Sequence, residues 1–278
     1  MRASLLIAAH NEGELLWKTI RACLASISDL EYEILVADDA SSDGSLKEAR
    51  RRFPQIRVVR HPERRGASPT KHLAAAEARG DVLVFLDGHT NPELGAVRRL
   101  VEDVEHLQGN AIVTPAVPTL ETVRWLNSRK QVGHGFGLRL DTLGCHWKTL
   151  GDLPTQTVAG RRFYESPALI GCALAIDRSL YHELRGFDPQ MRMWGVEDLD
   201  FGLKSWLMGY PVLHDPQAVI GHRFRQAFDN YRVPAEHLIA NQLRCAYKHF
   251  TPPVWEQWRE ACRRRNDAPS AGTGAGLR

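Results

Sequence analysis

Val82-Leu83-Val84-Phe85-Leu86-Asp87-Gly88-His89 is the stretch whose reading decides the fold. Five consecutive apolar residues, mostly branched, predict a strand buried on both faces, as in parallel sheets covered by helices. An acid and an imidazole then flank a glycine where that strand must end. Asn91 and Pro92 predict the N-cap and first residue of a helix running to about Leu107. The carboxyl edge of a parallel sheet is where open α/β proteins bind ligands. Asp87 and His89 offer one oxygen and one nitrogen ligand there, and Gly88 lets a phosphate approach the backbone. The competing explanation is an aspartate that merely ends a strand as a turn residue.

Upstream, the pattern of strand then helix recurs. Leu5 to Ala9 predicts a first buried strand, and the polar loop His10-Asn11-Glu12-Gly13 follows it. Leu15, Leu16, Ile20, Cys23, Leu24 and Ile27 then recur at helical spacing. Glu33 to Ala37 predicts a second strand, ending in the acidic turn Asp38-Asp39-Ala40-Ser41-Ser42-Asp43-Gly44-Ser45. Asp43 suits turn and cap chemistry there, whereas Asp38 or Asp39 suits hydrogen bonds from a base or ribose at the sheet edge. Ile56 to Val59 predicts a third strand, and a helix from about Pro69 to Arg79 leads into Val82. Four such repeats imply a parallel sheet with right-handed crossovers. Neither G-x-G-x-x-G nor G-x-x-x-x-G-K-[ST] follows the first strand, so phosphates must be held by other means, for which a metal at Asp87 and His89 serves.

Composition sets the outer limits. A chain of 278 residues with 43% hydrophobic content buries a sizeable core. The net charge of +3 is mild, and the arginines between Arg50 and Arg65 lack interleaved aromatics or any zinc-finger or RNA-binding signature, which disfavours nucleic acid. Five scattered cysteines without a C-x-x-C pair fit free thiols in a reducing, cytoplasmic setting. No apolar run reaches the ~20 residues of a membrane span, and Ser4 to Ala9 makes a poor signal peptide.

Downstream, Ala111 to Thr114 predicts another strand. The glycines and aromatics between Pro115 and Pro167 suggest long loops around a cavity, serving either as packing or as a platform for a sugar face. Ser166 to Asp177 predicts a core strand passing close to a ligand. Trp194-Gly195-Val196-Glu197-Asp198-Leu199-Asp200 then opens a helix to about Met208. Carboxylates in a first helical turn complement the macrodipole, but the preceding Trp-Gly favours a general base facing a pocket. Val212 to Ile220 includes a final strand, and His222 beyond it is a candidate third ligand beside Asp87 and His89 for a first-row divalent ion. Glu236 to Phe250 predicts a helix. After Pro252-Pro253, a short basic amphipathic helix carries Val254, Trp255, Trp258 and Cys262. Packing is its simpler role, and weak association with a membrane surface or partner is the alternative. Residues 266–278 have the composition of a disordered tail.

Together these stretches resemble nucleotide-sugar-dependent glycosyltransferases of GT-A fold, family 2 type. They are most similar to the catalytic domain of polypeptide N-acetylgalactosaminyltransferases. The resemblance is carried by "LLIAAHNE", "ILVADDASSDGS", "DVLVFLDGHTNPE", "ESPALIGCALAIDRSLYHELRGFDPQMRMWGVEDLDFGLKSW" and "VIGHRFR", in that order. It implies a Rossmann-like α/β domain with a mostly parallel central sheet flanked by helices. Residues 1–115 would be the nucleotide-sugar half and 116–226 the acceptor half, followed by C-terminal helices over 227–265. It implies hexosyl or N-acetylhexosaminyl transfer from a UDP-sugar to a peptide, glycan or small-molecule acceptor. Asp87, His89 and His222 would hold Mn2+ (or Mg2+) against the diphosphate. Ala8 and Asp39 or Asp38 would line the uridine pocket, with His10, Glu12, Lys71, Gly88 and Trp194 also on the donor side. Glu197 would contact sugar or acceptor. The sequence departs from the mucin-type enzymes in carrying Glu197-Asp198 where they carry Glu-Asn, and their lectin domain has no counterpart in it. Glu-Asp is the pattern of inverting family 2 and galactosyltransferase-type enzymes, which makes Asp198 the candidate base. Nucleotidyl transfer and a non-catalytic sugar-nucleotide-binding module are the alternatives. The first usually needs a basic glycine-rich loop after strand one, and the second needs no base.

Overall fold

The computed structural model describes residues 2–139, 142–224 and 233–267. The first half follows the predicted alternation: β1 (Arg2–Ala9), α1 (Glu14–Ser26), β2 (Glu31–Asp38), α2 (Ser45–Arg52), β3 (Arg57–Arg60), α3 (Ala67–Glu77) and β4 (Val82–Asp87). β1 pairs in parallel with both β2 and β4, and β2 with β3. The apolar run of β4 divides by parity between two cores. Val82, Val84 and Leu86 face one with Ile20, Cys23 and Val97, while Leu83 and Phe85 face the other with Ala74, Leu180 and Phe201. That alternation is why every residue of the run must be apolar. Phe85 is fully buried beside the rings of Tyr181 and Phe187, so its truncation to alanine would cost about 3–5 kcal/mol.

The predicted helix start at Asn91-Pro92 is not what forms. Thr90–Pro92 is instead a short strand, β5, and α4 (Ala96–His106) begins after Gly95, which takes a left-handed conformation. Asn91 spends its side chain on Asn127 Oδ1, 3.2 Å away, rather than on a helix N-terminus. Antiparallel pairing with the end of the last strand, Pro92 opposite Ile220 and Thr90 opposite His222, takes these three residues out of the helix.

The region expected to be loops is largely strand: β6 (Ile112–Glu121), β7 (Leu126–Gly133), β8 (Phe136–Arg139), β9 (Gly144–Trp147), β10 (Thr155–Val158) and β11 (Arg161–Glu165). Its glycines are explained by packing. The position of a Gly133 Cβ is filled by the Trp147 ring, which lies 4.2 Å from Phe136 between centroids. The core strand expected over Ser166 to Asp177 is confined to β12 (Ala173–Asp177). α5 (Arg178–Glu183), α6 (Glu197–Leu207), β13 (Val212–His222), α7 (Ala235–His249) and α8 (Pro252–Asp267) complete the order.

The main sheet runs β10-β11-β13-β6-β12-β4-β1-β2-β3. β12 is antiparallel to both β4 and β6, whereas β13 is parallel to β6. The central sheet is thus mostly parallel, and helices flank it. α8 packs Trp258 and, in part, Trp255 and Cys262 against Cys245 and Ala246 of α7. Among the described residues, no helix is long and apolar enough to cross a membrane. The tail expected to be disordered lies outside the described residues from 268 onward; residues 266 and 267 belong to α8.

Candidate active site

Asp87 closes β4, and His89 follows at the start of the turn into β5. β5 runs antiparallel to the end of β13, with His222 opposite Thr90. Thr19 of α1 locks the turn: its hydroxyl accepts from Thr90 N at 3.1 Å and lies 2.9 Å from Thr90 O. One ligand atom each of Asp87, His89 and His222 thereby comes within 4.8 Å of the others. His89 Nε2 and His222 Nε2 are 3.1 Å apart, and His222 Nε2 lies 3.4 Å from Asp87 Oδ2. One carboxylate and two imidazoles converging in this way suit a divalent first-row ion.

The electrostatics favour the ligating forms. Desolvation alone would raise the Asp87 carboxyl, but the Lys71 ammonium and the two imidazoles hold it well below the usual carboxylate range. Burial lowers His222, and the neighbouring His89 and Lys71 add to that, against the pull of Asp87. A carboxylate and a neutral imidazole are what a metal needs.

Glu12, predicted on the donor side, reaches His89, with Oε2 3.0 Å from Nδ1. The same residue explains Gly88, where a Cβ would lie 2.9 Å from Glu12 Cγ and 3.1 Å from Ala8 O. The space that a side chain would need at Gly88 is therefore taken by Glu12 and the β1 backbone. Gly88 N donates to Ala8 O at 2.9 Å.

Lys71, expected near the nucleotide, is buried, donating to Gly171 O at 2.7 Å and lying 3.2 Å from Asp87 Oδ1. Desolvation opposes its charge, but Asp87, Glu197 and Asp198 together raise its pKa above the ordinary lysine value. The buried ammonium thus pairs with Asp87 and meets, at Gly171, the residue whose N–H donates to Asp198.

That pair opens α6 behind a contorted loop. Met193, Gly195 and Val196 all have positive φ, 55°, 106° and 70° respectively. Two β-carbon side chains held there imply local strain, the kind concentrated at functional sites. Asn241 of α7 maintains it. Its buried amide accepts from Arg192 N at 2.9 Å and donates to Arg192 O at 2.8 Å and Gly195 O at 3.1 Å. Trp194, in the middle, is 43% exposed. Glu197 Oε2 accepts from Gly195 N at 2.8 Å, and Asp198 Oδ2 from Gly171 N at 3.3 Å. Burial, then the Asp198 charge, pushes the Glu197 carboxyl up to about 7. Burial raises Asp198 as well, partly offset by Lys71. A raised carboxylate is a stronger base than a solvated one.

On the nucleotide side, Ala8 lies in β1 between Ala37 and Asp87. The Asp39 carboxylate accepts from Arg65 N at 2.7 Å and Gly66 N at 2.8 Å, while Asp38 Oδ2 lies 3.2 Å from Arg60 Nε. Asp39 therefore fastens the loop after β3, while Asp38 pairs with the last residue of that strand. His10 Nδ1 is 2.6 Å from Asp39 O. Sequence reasoning missed Asn241 and Gly171. The available signal was an amide inside an otherwise apolar helical stripe, and a glycine within an apolar run.

The sequence matches Glycosyl transferase family 2 over residues 4–185 and the N-terminal domain of galactosyltransferase over residues 159–224. It is 29% identical over 248 residues to polypeptide N-acetylgalactosaminyltransferase 10 of Rattus norvegicus, covering 87% of this chain and 40% of that protein. The chain therefore spans less than half the length of that relative. The fold is similar to the crystal structure of GalNAc-T7 with UDP, GalNAc and Mn2+, with a TM-score of 0.77 and 21% identity, covering 98% of this chain and 52% of the other. It is also similar to S. aureus TarS 1-349 in complex with UDP-GlcNAc, with a TM-score of 0.63 and 13% identity over 93% of this chain and 70% of the other. The sheet order and these likenesses make the fold GT-A, and the match over most of its length makes this chain a member of glycosyl transferase family 2.

Proposed function

We propose that this chain transfers a sugar from a UDP-sugar to an acceptor nucleophile, with Mn2+ or Mg2+ bound and with inversion at the anomeric carbon. The observation that carries the reading is the convergence of Asp87, His89 and His222 within 4.8 Å, connected to Asp198 through Lys71, which pairs with Asp87 and donates to Gly171 O, and through Gly171 N, which donates to Asp198 Oδ2. UDP is the nucleotide named in both similar structures, and Mn2+ the metal in one.

A divalent ion, when bound, would neutralise diphosphate charge and ease departure of UDP. Asp87, His89 and His222 would hold it. Ala8, Asp38 and Asp39 shape the sheet edge where the uridine would lie, Asp39 by fixing the loop after β3 and Asp38 by pairing with Arg60 at the end of that strand. Asp198 takes the acceptor proton as the nucleophile attacks opposite the departing diphosphate. Its orientation is fixed by Gly171 N and by Leu199 N, which donates to Oδ1 at 2.8 Å. Glu197, buried beside it, contacts sugar or acceptor. Trp194, 43% exposed in the loop that leads into α6, supplies an aromatic face of the kind that stacks on a sugar.

The test is incubation with a panel of UDP-sugars and Mn2+, with a peptide, a glycan and a small-molecule acceptor. UDP release with a glycosylated product supports the reading. Pyrophosphate release would indicate nucleotidyl transfer, and binding without turnover a non-catalytic module.

A further inference from the structure

A second cluster of metal-ligating groups lies between α6 and α7, apart from Asp87. One ligand atom each of Asp200, Cys245 and His249 lies within 4.8 Å of the others. Asp200 and Cys245 are fully buried, and the His249 side chain is 8% exposed. Asp200 Oδ1 has partners, His249 Nε2 at 2.9 Å and Lys248 Nζ at 2.5 Å. Asp200 Oδ2 is buried with no hydrogen-bond partner. A charge network tying the two helices together accounts for Oδ1 and for Lys248. It leaves the second oxygen of a fully buried carboxylate orphaned, which is costly.

We propose that Asp200 Oδ2, Cys245 Sγ and His249 Nε2 form a binding site for a borderline-soft divalent cation of the zinc class. A carboxylate, a thiolate and an imidazole are a zinc donor set, with a fourth position left for water. The Asp87 cluster contains no sulfur and suits a harder ion. The two sites are therefore chemically sorted, and this one stands independently of the proposed transferase activity. On binding, the Cys245 S–H bond is replaced by a sulfur–metal bond and its proton passes to water. His249 releases to water, or shifts to Nδ1, the Nε2 proton that it shares with Asp200 Oδ1 at 2.9 Å, so that Nε2 can ligate. Burial, and then the Asp200 charge, hold that thiol above its ordinary range, so affinity must rise with pH.

Lys248 is the resident cation that a metal must tolerate. It lies 2.8 Å from Asp188 Oδ2 as well, and its side chain is 29% exposed. It therefore has a second partner on which to stay when its hold on Asp200 loosens. A bound ion would clamp α6, whose first turn carries Glu197 and Asp198, to α7, whose Asn241 holds the Arg192–Gly195 loop.

Titration of the full chain with Co2+ alone tests this, because thiolate ligation gives a sulfur-to-cobalt charge-transfer band that the sulfur-free Asp87 site cannot produce. The expected result is a one-equivalent band, displaced by Zn2+ and lost in Cys245→Ser. Asp200→Asn preserves shape while removing the ligand charge, and is expected to abolish the band even if the serine variant folds poorly. Lys248→Met is expected to tighten Co2+ binding by removing the competing charge. Absence of the band, its survival in Cys245→Ser or Asp200→Asn, or unchanged or weaker binding in Lys248→Met overturns the proposal.

Discussion

Glu12 Oε2 lies 3.0 Å from His89 Nδ1, across the gap between the first loop and the turn after β4. A carboxylate on the far nitrogen of an imidazole fixes its tautomer and leaves the other nitrogen free to ligate. Here the freed nitrogen is Nε2, the atom that faces His222. Glu12→Gln keeps the shape and removes the charge. It should weaken Mn2+ affinity by about 10–100-fold with little change in thermal stability, measured by calorimetric titration in the presence of UDP.

Removing a ligand itself has a sharper signature. His89→Ala and His222→Ala should each weaken UDP binding in Mn2+ by at least about tenfold, while leaving the weaker binding in EDTA unchanged. Wild-type affinity for UDP that is the same with and without metal would rule out metal-assisted binding.

Asp198→Asn separates base chemistry from helix electrostatics. Loss of a general base lowers turnover by about 10²–10⁴-fold and spares UDP-sugar binding. If Asp198 only complements the α6 dipole, turnover stays within a few-fold. NMR of the product gives a second readout, because an α-linked product from an α-linked donor contradicts inversion.

The carboxyl pair Asp103 and Asp215 predicts a pH effect on stability. Asp103 is fully buried on α4, and burial followed by Asp215 pushes its carboxyl up to about 7. Arg161 donates to Asp103 Oδ1 at 2.7 Å, and Arg99 bonds Asp215 Oδ2. A folded-state pKa raised above the unfolded value favours the protonated native form. The resulting stability is complete below about pH 4 and is lost as pH rises to about 7. Asp103→Asn cannot lose a proton, so the stability difference between variant and wild type should shift in the variant's favour across that window. Urea midpoints measured from pH 4 to pH 8 check this, and a pH-independent difference would contradict it.

Gly171→Ala should disable the site through geometry alone. Its new Cβ would lie 2.7 Å from Asp198 Cβ, and overpacking of this kind costs about 1–3 kcal/mol. Turnover should fall more than UDP affinity does, because the displaced group is the proposed base.

The parallel half of the sheet was legible because strands buried on two faces are written as continuous apolar runs, and β1, β2 and β4 each are. Asp87 and His89 were legible because they sit where such a run stops. β5 was not, since Thr-Asn-Pro has no strand signature and its partner is 130 residues away in sequence at Gly221. The hairpins between β6 and β12 were missed because Leu126–Gly133 has no apolar alternation to mark a buried face. The side-chain partners of Lys71 and Glu12 were not legible for a related reason. Residue type and position announce a charged group near a site, but whether it meets a ligand or another side chain depends on contacts between distant segments.

The three-rung ladder between β5 and β13 has a bearing on biogenesis. Two of the three ligand atoms come from residues 87 and 89 and the third from residue 222, brought opposite Thr90 only when that ladder closes. A growing polypeptide can fold its first four parallel strands and shape the nucleotide edge long before His222 is synthesised. It cannot complete the cation site until the last strand docks. Any cation held by these three residues would thus be acquired only at the end of the folding reaction, and a chain stalled short of β13 would be left with Asp87 and His89 alone.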